Sequence, residues 1–181
     1  MGIRTPVVAV VCLCVLAGGA FGVASLDGDV PGGDRLPSWG EVYPSMTLDE
    51  RATESLVHER VNEAREERGV EALSRDDDLQ QVARSHSEDM ADRGYFEHTT
   101  PGGLDPAARV ERAGIECGDV GENIVKLPRS NHEKPLAEDV VEAWLNSPGH
   151  FINLVDGDWS RMAIGVVADA DSVYVTQKFC S

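Results

Sequence analysis

Positive charge is scarce in this chain. It carries 16 Lys and Arg against 32 Asp and Glu, a formal net charge of −16 over 181 residues. Lysine occurs only at Lys126, Lys134 and Lys178. A surface of that sign repels phosphate backbones and anionic headgroups, which excludes nucleic acid and acidic lipid surfaces as partners. An excess of one sign also weakens a compact state by self-repulsion unless salt screens it. Few lysines and many aspartates match the composition of halophile proteins, so molar salt is expected to raise the melting temperature.

Cysteine is scarcer still. Of four residues, Cys12 and Cys14 lie inside an apolar N-terminal run. Cys117 and Cys180 remain as an even pair, and a disulfide is the natural reading of such a pair in an exported domain. The apolar run covers residues 7–25 without a charge, with Arg4 before it and Asp27 and Asp29 after it. It is either a cleaved secretory signal, with a small-x-small site at Gly22-Val-Ala24, or an uncleaved membrane anchor. The positive flank on its N-terminal side places the rest of the chain outside the cytoplasm. No lipoprotein box and no internal repeat is present.

Residues 26–46 are rich in Gly, Pro, Asp and Ser without apolar periodicity, and read as a linker. From residue 47 onward the chain reads as one domain. Thr47-Leu-Asp-Glu50 opens a helix carrying Ala52, Leu56, Val57, Val61 and Ala64 at helical spacing, ended by Gly69. Ser74-Arg-Asp-Asp77 opens a second helix, with Leu79, Val82, Ala83, His86 and Met90 on one face and Gly94 near its end. Asp105-Pro106 begins a short helix through Ala113. Val120–Leu127 reads as a strand, Arg129–Lys134 as a polar loop, and Pro135–Asn146 as a helix carrying Trp144. The chain closes on a hairpin, Met162–Ala168 and Val173–Phe179, around Asp169-Ala-Asp-Ser172. Helices come first and strands cluster late, which indicates an α+β fold rather than a parallel doubly wound sheet.

Three short segments carry candidate chemistry: Tyr95-Phe-Glu-His98, Gly121-Glu122-Asn123 and Ser147-Pro-Gly-His150. Pro148 cannot continue the Trp144 helix but suits the first turn of a new one, so His150 is expected at the mouth of a second short helix. There the helix dipole favours the neutral imidazole, the form that binds metal or acts as a base. Glu122 lies in an apolar stretch, where a carboxylate needs a partner. It either bonds backbone amides of a neighbouring loop or faces a cleft. His86, on the apolar face of its helix, reads as a core histidine, and His58 and His132 as exposed or structural. Neither Ser85 nor Ser147 sits in a strand–turn–helix nucleophile elbow. His98 and His150 are not in a His-x-x-x-His helix, so spacing alone does not bring them to one point.

In order along the chain stand His58-Glu-Arg-Val-Asn62 with Arg65, Ala83-x-x-His86-Ser-x-Asp-Met90, Tyr95-Phe-x-His98, Gly121-Glu-Asn123, Ala143-Trp-x-x-Ser-Pro-Gly-His150 and Ile164-Gly-Val. These six pieces resemble the superfamily of cysteine-rich secretory, antigen 5 and pathogenesis-related proteins. The match is closer to its short bacterial and archaeal branch, the SCP-like extracellular domains. The resemblance implies an α–β–α sandwich, a small and mostly antiparallel sheet between helical layers, with a cleft on one side. By motif, the two cleft histidines of the family fall on His98 and His150 and its first glutamate on Glu122. Its second glutamate, three residues after the helix tryptophan, is Ser147 here. His98, His150 and Glu122 are thus the implied ligands for a weakly held divalent cation such as zinc. Three functions are compatible with the resemblance. One is an extracellular binding module for a small molecule, lipid, peptide or envelope component. The second is a metal-assisted peptide hydrolase with Glu122 as base toward bound water. The third is a structural cell-surface domain.

Overall fold

A computed structural model describes residues 47–181. The expected leader or anchor over 1–25 and the linker over 26–46 lie outside the described residues. Among the described residues, no helix is long and apolar enough to cross a membrane.

The elements run α1 (Glu50–Glu66), β1 (Ser74–Arg75), α2 (Asp77–Arg93), α3 (Pro106–Arg112), β2 (Val120–Pro128), α4 (Glu133–Leu145), α5 (Pro148–Val155), β3 (Arg161–Ala168) and β4 (Ser172–Cys180). The sheet order is β1-β3-β4-β2. β4 pairs antiparallel with both β2 and β3, and only the two-residue β1 is parallel to its neighbour. This is the α+β sandwich, mostly antiparallel, that the motif order implied.

Strand alternation assigns the two layers, because successive side chains point to opposite faces. Met162, Ile164 and Val166 of β3 and Val173, Val175 and Phe179 of β4 pack with Val57 and Val61 of α1, Val140 and Trp144 of α4 and Leu154 of α5. The alternate residues meet α2 and α3: Ala163 and Cys180 with Leu79, Val82 and Val110, and Ile124 and Tyr174 with Met90. α2 lies so close to β3 that a Cβ on Gly165 would collide with the backbone of Ala83 and Arg84. Glu54 of α1, almost fully buried, reaches across as a staple: it pairs with Arg84, accepts from Gln80 Nε2 at 2.8 Å and from the Val166 amide at 3.2 Å.

Helix ends differ from the expected positions by a residue or more. Asp49 and Asp76, not Thr47 and Ser74, cap α1 and α2 by accepting from the amides of Ala52 and Leu79. Ser74 instead belongs to β1, a strand too short to show a period. α4 begins at Glu133 rather than Pro135, with His132 at its N-cap, because a proline is tolerated anywhere in a first turn that needs no amide donor. Gly94 ends α2 in the left-handed conformation at φ 67°. Cys117 and Cys180 form the expected disulfide, closing a sequence separation of 63. In the chain-entropy model a ring of this kind stabilises by up to about 4 kcal/mol.

Candidate functional site

The site is built on β2, an edge strand. Its register places Glu122 opposite Lys178 and Asn123 opposite Gln177 of β4. Glu122 therefore points toward α2 and α3, and Asn123 toward α5. The Glu122 side chain is 1% exposed and its carboxylate is fully engaged. Oε1 accepts from His98 Nδ1 at 2.8 Å; Oε2 lies 2.7 Å from Lys178 Nζ and 2.7 Å from Arg109 Nη2. Burial alone would raise the Glu122 carboxyl; the His98 hydrogen bond and the Lys178 and Arg109 charges reverse this and hold it at about 2.

Each partner has its own anchor. Lys178 is fully buried on β4 and also donates to the Pro106 carbonyl at 3.2 Å. Burial pushes it down to about 8, against the pull of Glu122. Arg109, on α3, donates to the His98 carbonyl at 2.8 Å and the Leu104 carbonyl at 2.9 Å, which ties the 95–105 loop to α3. His98 sits on that loop with its side chain 48% exposed. Because Nδ1–H donates to Glu122, a neutral His98 offers Nε2 as an acceptor. His86 behaves as the core histidine expected of it. Its side chain is fully buried, and Nε2 donates to the Glu97 carbonyl at 3.2 Å, 3.8 Å from Glu122 Oε1. Burial is the main force holding it down at about 4.

His150 occupies the third position of α5, after the break at Ser147-Pro148, as the sequence indicated. Ser147 stands at the N-cap but makes no side-chain cap hydrogen bond. Asn123 Nδ2 donates to the His150 carbonyl at 3.2 Å, and Asn153 Nδ2 donates to Asn123 Oδ1 at 3.0 Å and to the Glu122 carbonyl at 3.2 Å. Arg65, fully buried on α1, closes the far end of α5 by donating Nη1 to the carbonyls of Leu154 at 2.8 Å and Asp156 at 2.9 Å. Burial, and after it the His98 ring, lower the His150 pKa. The neutral form is favoured as expected, with burial as the larger cause.

Zinc with three protein ligands requires those side chains to converge on one point. Among the described residues, no group of three or more His, Cys, Asp or Glu side chains is gathered to hold a metal ion. Glu122 Oε2 already carries two cations and Oε1 the His98 hydrogen bond, so a divalent ion on this carboxylate would have to displace one of the three. The residues present do not fit a metal centre that uses His98, Glu122 and His150 together.

Sequence reasoning named His98, Glu122 and His150 and passed over Lys178, Arg109 and Asn153. A signal for Lys178 existed: it is one of three lysines and the one charged residue of the closing strand. Arg109 carried none, since an arginine on a short helix is ordinary.

The model of the CAP family, the cysteine-rich secretory proteins, matches residues 58–179. The chain belongs to this family. It is 34% identical over 128 residues to the uncharacterized Bacillus subtilis protein YkwD, a match covering 71% of this chain and 47% of that one. It is 31% identical over 144 residues to the uncharacterized Bacillus subtilis membrane protein YlbC, covering 76% of this chain and 39% of the other. The chain therefore spans less than half the length of these two relatives. Among solved structures, an extracellular SCP-domain protein from Bacillus anthracis superposes with a TM-score of 0.61 at 28% identity, covering 72% of this chain and 41% of that one. An outer surface protein from Borrelia burgdorferi superposes with a TM-score of 0.66 at 20% identity, covering 74% and 96%, a likeness of fold.

Proposed function

We propose that this CAP domain is a non-catalytic binding module that works outside the cytoplasm, with a cleft beside the edge strand β2 as its ligand site. His98, held by Glu122, and His150, held by Asn123, form the cleft's polar wall. The ligand is a small molecule, lipid, peptide or envelope component. The extracellular placement is supported by the similar SCP-domain protein from Bacillus anthracis, an extracellular protein.

The observation that carries the reading is the engagement of Glu122. A general base must accept a proton near the working pH. A carboxylate held at about 2 by two cations and a histidine accepts protons poorly. Its role is to orient His98, not to activate water. That weighs against the hydrolase reading.

The test is a histidine-resolved NMR titration with palmitate, a mixed tripeptide library and a glycan extract of the cell envelope. At least one probe is expected to shift the His98 and His150 ring resonances, with the shift lost in H98A and H150A. Zinc-dependent cleavage of casein that disappears in E122Q would overturn the reading and restore the hydrolase.

A further inference from the structure

A groove of about 1250 Å³ runs along one face of α2, from Asp78 through Val82, Ser85 and His86 to Arg93, and is closed on its other side by α3. In a chain with a formal charge of −16, four arginines line it: Arg93, Arg109, Arg112 and Arg161. Two of them are neutralised locally. Arg161 pairs with Asp76 at 2.6 Å and Arg93 with Asp89 at 3.1 Å. The acidic residues Asp78 and Glu116 also line the groove. They lie toward the Arg161 end, where α2 begins and where the Glu116 carbonyl accepts from Arg161. Arg109 and Arg112 are different. Arg112 is exposed and makes no ion pair among the described residues.

Arg109 belongs to the buried cluster, and that cluster does not balance. Glu122 contributes one negative charge; Lys178 and Arg109 contribute two positive charges. The side chains are 1%, 0% and 9% exposed, so one positive charge is left over in a region from which water is excluded. Asp105, the other carboxylate that Lys178 senses, is exposed and spends its side chain on capping Ala108. Arg109 also keeps a donor in reserve. Its Nη groups serve Glu122, His98 and Leu104, while its Nε, buried, has no hydrogen-bond partner. A buried, unpartnered guanidinium N–H beside an uncompensated charge is costly on both counts. One ligand group removes both costs, an oxyanion, which accepts from guanidinium and brings the missing charge.

We infer that the α2–α3 groove binds a ligand through an oxyanion, a carboxylate or a phosphate, received by Arg109 at its floor and Arg112 at its rim. The assignment rests on the binding-module reading and adds to it a subsite of stated chemistry, joined to the His98–Glu122 wall through Arg109 but lined by neither His98 nor His150.

The test uses the described domain with its N-terminal segment, and inorganic phosphate and acetate as probes. Ionic strength is matched with sodium chloride, because a chain of this charge responds to any salt. Thermal denaturation is expected to show stabilisation by one or both anions beyond chloride, and phosphate against acetate tells which source the groove prefers. R112Q, at an exposed position that leaves folding intact, is expected to weaken that effect about tenfold, the loss of one charge-assisted contact. Equal melting in phosphate, acetate and chloride overturns the assignment, as does an unchanged anion response in R112Q. If a panel ligand still shifts His98 and His150 while both anions fail, the binding module stands and only the anion assignment falls.

Discussion

Toward α1, α4 and α5 the central strands present Met162, Ile164, Val166, Val173, Val175 and Phe179; toward α2 and α3 the same strands present Ala163, Gly165, Tyr174, Thr176, Lys178 and, from β2, Glu122. One face is an apolar core around Trp144, with buried Gln177 and Asn123 as the polar residues of its strands. The other holds a lysine and a glutamate out of water, with a serine–threonine pair, Ser87 and Thr176, 2.8 Å apart behind them. Stability and specificity are thus divided between layers one side chain thick. Polarity on the apolar face is confined to groups that satisfy one another, Asn123 Nδ2 donating to Gln177 Oε1 at 3.0 Å and Arg65 donating to backbone carbonyls. The polar face accepts the cost of burying charge, and that cost is understandable only if the charges do something the core cannot.

The sharpest way to break this comparison is to remove charges one at a time from the polar face. E122Q leaves two buried cations with no counter-charge, and removing one partner of a buried pair costs about 3–5 kcal/mol. K178M is expected to cost far less, about 1 kcal/mol, because the Glu122–Arg109 pair left behind is neutral and the methionine fills similar volume. Urea denaturation of both variants measures the difference. Equal losses would mean that Lys178 is not the surplus charge.

On the opposite face the expected loss is of similar size and different kind. W144A deletes the largest fully buried side chain, for a loss of about 3–5 kcal/mol. The cleft should not notice: Trp144 lies in a different core cluster, so the NMR titrations of His98 and His150 in the folded variant should superpose on those of the parent chain. A shifted titration would show that the faces are coupled through the sheet.

What could be read beforehand follows the same division. The period-2 alternation of β3 and β4, the helical spacing in α1 and α2, and the stop and restart at Ser147-Pro148 are local patterns, and local patterns survive in a single sequence. Glu122 and His98 could be named because each sits in a short unusual segment. Their partners could not be named in the same way. Lys178 meets Glu122 only because β2 and β4 pair in one register, and Arg109 meets it only because α3 packs beside β2. Both facts are set by packing across more than ten residues of chain. For the same reason the ligand types were visible in the sequence, but the cations engaging the Glu122 carboxylate were not. Likewise β1 has two residues, fewer than any periodicity needs.

The gentlest probe of the polar face is acid. Unfolded His86 takes up a proton near 6.5, folded His86 only near 4, so acid favours unfolding from pH 6.5 downward. Unfolded Glu122 protonates near 4.5 and folded Glu122 near 2, so a second loss follows below pH 4.5. Each is on the order of 3 kcal/mol when complete. Lys178 acts at the other end. Its folded value of about 8 lies below its ordinary 10.5, so its burial is least costly in alkali, and stability gains from it between pH 8 and 10.5. Urea midpoints across pH 2 to 10 should therefore fall in two steps on the acid side. H86Q should erase the step above pH 4.5 and leave the lower one in place. If the upper step survives in H86Q, the group responsible is not on the polar face at His86, and the description of that face as the pH-sensitive layer must be given up.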